Sequence, residues 1–144
     1  MSDASASRLP LTVHALRLNP GDDLRGRLET TARELRCRAA FVLTCVGSLN
    51  VARLRFAGRD DAAEIRGDLE IVSLVGTLAE GGLAHLHLAV ADRDGAMRGG
   101  HLLAGSIVRT TAEILLGEAS DLRFTREVDA VTGYMELVAR HIDR

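Results

Sequence analysis

Short stretches in which apolar and polar residues alternate, separated by glycine-bearing turns, occupy most of this chain, and only one stretch repeats at helical spacing. Alternate residues of a β-strand point to opposite faces, so this pattern commits the chain to sheet. Residues 11–18, LTVHALRL, put Leu11, Val13 and Ala15 on one face and His14 on the other, as a surface or interface side chain. Residues 51–57 alternate Val51, Arg53 and Arg55 with Ala52, Leu54 and Phe56. LEIVSLVGTLA (69–79), the Gly81-Gly82 turn and LAHLHLAVAD (83–92) read as a hairpin, and Asp94-Gly95 makes a second turn into a strand at 96–104. In 106–116, Val108, Thr110, Ala112, Ile114 and Leu116 form the core-facing set. The run AAFVLTCVGSL (39–49) is almost wholly apolar, as expected of a strand buried on both faces, and Gly47-Ser48 leads out of it. Residues 58–66 read as a polar loop. The C-terminal FTREVDAVTGYMELV is less regular, with a turn at Thr132-Gly133.

The helical exception follows a Pro20-Gly21 turn, with Asp22 or Asp23 as its N-cap. Leu24, Leu28, Ala32 and Leu35 recur on one side, Glu29 and Arg33 are spaced as an i,i+4 pair, and the helix should end at 36–38. The sum is an α+β fold: a mostly antiparallel sheet of about seven strands with one or two helices. A polar N-terminal tail (1–10) precedes one domain (11–144). A chain of 144 residues can bury roughly 70% of its unfolded surface, which needs no disulfide or metal staple. Cys37 and Cys45 are too few for a disulfide framework and read as reduced core or near-core thiols. No apolar run approaches a membrane span, and MSDASASRLPL lacks the basic start and apolar run of a signal peptide. The expected location is cytoplasmic. A net charge of −2 argues against strong binding to phosphate backbones.

Chemistry concentrates in three of the five histidines: His85 and His87 in AHLHLAV, and His101 in GGHLL. His85 and His87, two apart on a strand, project together, while Leu86 and Leu88 point to the core. Gly99-Gly100 permit a close backbone approach that brings His101 opposite them. Three imidazoles on one face make a site for a transition metal such as zinc, and Glu113, on the polar side of its strand, is the candidate fourth ligand or supporting group. The competing use of these rings is hydrogen bonding at a subunit interface. Asp92 and Asp94 belong to the Asp-Gly turn, and Cys45, flanked by apolar residues, belongs to the core. No nucleophile–base pair is apparent, so a binding role is expected, with a metal-dependent enzyme using a histidine-held water as the alternative.

Ordered motifs extend through nearly the whole chain: PGDDLRGRL (20–28), CVGSL (45–49), LRFA (54–57), LEIVSLVGTL (69–78), HLHL (85–88), GGHLLAG (99–105), TAEIL (111–115), FTREVD (124–129) and TGYMEL (132–137). Together they resemble the PPC domain of plants and prokaryotes, also called DUF296. The resemblance implies an α+β homotrimer, in which some members hold a metal at the same H-x-H and G-G-H elements. Arg126, Glu127 and Asp129 read as a charged cluster on a twisted strand that can form a salt-bridge network between subunits. Plant members carry AT-hooks, and prokaryotic members are labelled DNA-binding largely by that analogy. This chain has no Arg-Gly-Arg-Pro hook, and Gly26-Arg27 lie inside the expected helix, so direct DNA binding by this chain alone is not expected. A Gly-Arg-Phe-Glu-Ile segment of the plant domain is linked to protein partners. Here it reads Gly67, Asp68, Leu69, Glu70 and Ile71, without the basic and aromatic anchors; it remains the candidate partner surface, with Leu69 and Ile71 packed inward.

Overall fold

The computed structural model describes residues 9–142, so residues 1–8 of the expected tail lie outside the described residues. The elements run β1 (Leu11–Leu18), α1 (Leu24–Glu34), β2 (Ala39–Arg55), β3 (Ala62–Ala79), a 3-10 turn (Glu80–Gly82), β4 (Leu83–Ala91), β5 (Met97–Leu102), β6 (Ile107–Ala119), β7 (Leu122–Val128) and β8 (Met135–His141). The α+β class expected from the alternation is what forms, with eight strands and one α-helix among the described residues. Among the described residues, no helix is long and apolar enough to cross a membrane.

Six strands make one antiparallel sheet in the order β1-β6-β2-β3-β4-β5. The far end of β2 also pairs with β5, Leu54 with Leu102 and Arg55 with His101, so strands β2 to β5 close on themselves. Leu24, Leu28 and Ala32 of α1 pack into the same core as Leu49, Leu54, Leu78, Leu86, Leu88 and Leu102. β7 and β8 form a separate hairpin. Phe124 anchors it over Ala39, Ala79 and Ala119.

Asp23 is the N-cap of α1: its Oδ1 accepts from the Gly26 N–H at 3.0 Å and its Oδ2 from the Gly105 N–H at 2.6 Å. Glu29 pairs with Arg25 at 2.8 Å rather than with Arg33, whose guanidinium reaches Thr30 instead. The helix stops at Glu34 with Leu35 as C-cap.

Several expectations are overturned. Residues 39–55 form one strand, not two, and Gly47 lies within it. A Cβ there would stand 2.3 Å from the Thr111 carbonyl oxygen, so the glycine serves the close approach of β2 to β6 rather than a turn. Bulges near Val42, Leu49 and Val51 let so long a strand bend. Nor is 39–49 buried on both faces, since Leu43, Thr44 and Val46 are exposed. The polar stretch 58–66 is loop only in its first half, because β3 begins at Ala62. Thr110 is exposed, unlike Val108, Ala112, Ile114 and Leu116. The face of β1 that turns inward carries His14, Leu16 and Leu18, leaving Leu11, Val13 and Ala15 exposed.

Candidate metal centre

The three histidines meet on β4 and β5. Leu86 and Leu88 are 1% exposed, so the pleat turns His85 and His87 to the other side of β4. Antiparallel pairing sets His101 directly opposite His87, and His85 opposite Thr77 of β3. Gly100 makes this possible: a Cβ there would lie 2.6 Å from the Arg55 carbonyl oxygen, where β5 closes onto β2. A bulge between Ile71 and Ser73 shifts the alternation of β3, burying Leu69 and Ile71 before it but Leu74 and Leu78 after it. Thr77 is thereby presented on the histidine side.

The rings of His85 and His101 stack at 10° with centroids 5.2 Å apart. His87 stands edge-on to both, 5.1 Å from His85 and 4.5 Å from His101. One ligand nitrogen from each ring lies within 4.8 Å of the other two. His85 and His87 are exposed and His101 is half-buried. A shallow groove of about 290 Å³ opens beside His85 and His87, lined also by Thr77, Arg126, Glu136 and Leu137.

Charge around the cluster is mostly positive. Burial first, and then the Arg126 guanidinium and the neighbouring His87, hold His85 below its ordinary pKa, with the Glu136 carboxylate pulling the other way. Burial, then Arg55, His87 and His85, do the same for His101. Both rings are thus biased towards the neutral form, whose free nitrogen lone pair a metal needs. Three neutral imidazoles are a fitting donor set for a borderline ion such as zinc, and the groove side leaves a position open to water or a ligand.

Arg25 and Arg126 support the site from α1 and β7, away from the two histidine strands. Arg25 Nη1 donates to the Leu102 carbonyl at 2.8 Å and Nη2 to the Ala84 carbonyl at 3.3 Å, the residues beside His101 and His85. It ties α1 to both histidine strands. Arg126 Nη2 donates to Thr77 Oγ1 at 2.8 Å, fastening β7 over the groove. These contacts span 49 to 77 residues, and no local pattern announces them.

Other candidates fall elsewhere. Glu113 lies on β6 at the register of Arg17 and Val46, separated from β4 by β2 and β3, and its carboxylate does not join the three imidazoles. Leu69 and Ile71 are buried, as read from the sequence, while Gly67 and Asp68 are exposed and Asp68 pairs with Arg109 at 3.1 Å. Glu127 and Asp129 are engaged within the chain: Glu127 binds Arg140, and Asp129 accepts from the N–H groups of Val131 and Thr132. Asp92 Oδ1 accepts from the N–H groups of Asp94 and Ala96, closing the Asp-Gly turn. Cys45 packs against the core, and burial pushes its thiol up to about 11, far from a nucleophile's range.

The family model of the Plants and Prokaryotes Conserved (PCC) domain matches residues 5–120. The chain is 47% identical over 134 residues to a bifunctional protein GlmU of Synechococcus sp. (strain JA-3-3Ab), covering 93% of this chain but 21% of that protein. The chain therefore spans about a fifth of that relative's length. A protein from Salmonella enterica shares the fold at a TM-score of 0.90 and 40% identity, over 94% of this chain and 97% of its own. A metal-containing protein from Archaeoglobus fulgidus superposes at a TM-score of 0.79 with 24% identity, over 93% and 99% of the two chains. By the match over residues 5–120, the chain belongs to the Plants and Prokaryotes Conserved domain family.

Proposed function

We propose that this chain is a non-enzymatic, cytoplasmic, homotrimeric binding module that holds a transition metal such as zinc through His85, His87 and His101. The observation that carries the reading is the convergence of three imidazole nitrogens within 4.8 Å on two strands in fixed register. Burial, and after it the nearby arginines, biases two of those rings towards neutrality, and the metal-containing protein of Archaeoglobus fulgidus, alike in fold, lends support. The test is elemental analysis of untagged protein purified without chelator, beside His87→Ala. Near-stoichiometric metal, lost in the variant, is the expected result; a metal-free wild type that also fails to bind added zinc overturns it.

The groove beside His85 and His87 favours one second reading, a metal-dependent enzyme in which the ion activates a bound water. Turnover abolished by chelator would select it. The trimer reading has support of its own in apolar side chains left exposed on β1, β6 and β2: Val13, Leu115 and Val46. A trimer so built would offer a protein partner a composite surface, with the Gly67–Ile71 segment as its candidate. Direct DNA binding is disfavoured by the net charge of −2, and no mobility shift with duplex DNA is expected even at low salt.

A further inference from the structure

A second cluster of donor side chains lies across the sheet from the histidine site. His14 on β1 and Glu118 on β6 are diagonal neighbours, His14 being paired with Leu116 and Glu118 with Thr12. Their side chains meet with Nε2 3.3 Å from Oε2. Cys37 reaches the same point from the end of α1. There the chain reverses through Arg36, the one non-glycine residue with positive φ (55°) among those described. The Cys37 N–H returns to the Ala32 carbonyl at 2.9 Å and the Arg36 N–H to the Arg33 carbonyl at 3.0 Å, the double bond of a Schellman end. This turn delivers the thiol, 2% exposed, beside Glu118.

We infer that Cys37, His14 and Glu118 form a second metal site, distinct from the three-histidine cluster, that takes a thiophilic divalent ion such as zinc. The sulfur, one imidazole nitrogen and one carboxylate oxygen all lie within 4.8 Å of one another. Ligand atoms around tetrahedral zinc stand roughly 3.3–3.8 Å apart, so side-chain rotation of about an ångström closes the set. His14 and Glu118 keep 23% and 18% of their side chains exposed, which leaves an entry for the ion and for a water as fourth ligand.

Charge balance separates this site from the first. A thiolate and a carboxylate neutralise a divalent ion, giving an uncharged assembly suited to a half-buried place, whereas the three imidazoles leave the ion's charge uncompensated. Without metal, burial and then the Glu118 charge push the Cys37 thiol up to about 11. The cation replaces the thiol proton, which leaves to solvent, and it offsets the carboxylate in the same step.

Cobalt(II) is the probe, because thiolate ligation alone gives a sulfur-to-cobalt charge-transfer band in the near ultraviolet, which the all-imidazole site cannot produce. Metal-stripped full-length wild type and His87→Ala should both develop that band, saturating near one equivalent in His87→Ala and by two equivalents in wild type, where the three-histidine site also takes cobalt. Cys37→Ser should lose it with its circular dichroism intact, Cys45→Ser should keep it, and Glu118→Gln should weaken cobalt binding about tenfold or more. Absence of the band in folded wild type and His87→Ala, or its loss in Cys45→Ser but not in Cys37→Ser, overturns the assignment. If Cys37→Ser fails to fold, unchanged cobalt affinity in both His14→Gln and Glu118→Gln does so equally.

Discussion

His85 and His101 owe their depressed pKa to burial first and to nearby guanidinium groups second, and this sets a pH signature. In the unfolded chain both rings bind a proton near their ordinary value of about 6.5. The folded metal-free protein resists protonating them, so it binds fewer protons than the unfolded chain as the solution becomes acid. Their contribution to stability is therefore intact above that value and is lost as the pH falls through it. Urea midpoints of metal-free protein should drop from pH 7.5 to about 5.5, and the double variant His85→Gln/His101→Gln should show a shallower drop. Equal slopes in the two proteins would mean that these rings titrate normally. At this scale the sequence was informative about the histidines themselves, because a period of two puts residues 85 and 87 on one face wherever a strand forms. It was silent about Arg25 and Arg126, whose partners lie 49 to 77 residues away.

Backbone approaches that no side chain could replace decide how the elements position the sites. Gly100→Ala would place a Cβ 2.6 Å from the Arg55 carbonyl, which is backbone and cannot swing aside. The variant should lose about 1–3 kcal/mol of stability and displace His101 enough to weaken metal binding. Chemical denaturation and a zinc titration would check both, and an unchanged zinc affinity would show that β5 tolerates the shift. The end of α1 makes the opposite case. Arg36 occupies a left-handed position that glycine fills without steric cost, so Arg36→Gly should raise stability, by up to about 1 kcal/mol after the added freedom of the unfolded chain is subtracted. Thermal melts would detect the gain; a loss would mean that the arginine side chain makes a compensating contact. Element types were readable wherever alternation ran unbroken, as in β1 and β4. They were misread where bulges interrupt it, at Leu49/Val51 in β2, and where a glycine serves close packing inside a strand, at Gly47. The C-terminal hairpin was visible only as a turn, because residues 122–141 bury little besides Phe124.

For the whole molecule, the proposed trimer turns on which face of the sheet another copy would cover. β1 illustrates why period two alone could not answer it: LTVHALRL offers Leu11, Val13 and Ala15 on one side but Leu16 and Leu18 on the other, and either set could face a core. The fold buries Leu18 and leaves Val13 exposed; Ala15, the register partner of Leu115, is exposed with it. Leu115 in turn is paired with Thr44, and Val46 follows two residues along β2, so these apolar groups share the outward side of three adjacent strands. If three copies close over that side, a charge placed within it must be desolvated on assembly, whereas in a monomer it would sit in water at little cost. Val46, 60% exposed, is the position to use. Wild type should scatter light as a trimer and Val46→Arg as a monomer with unchanged circular dichroism, its histidine cluster on β4 and β5 still able to bind zinc. A trimeric Val46→Arg protein would move the interface to another face, and a monomeric wild type would remove the trimer altogether.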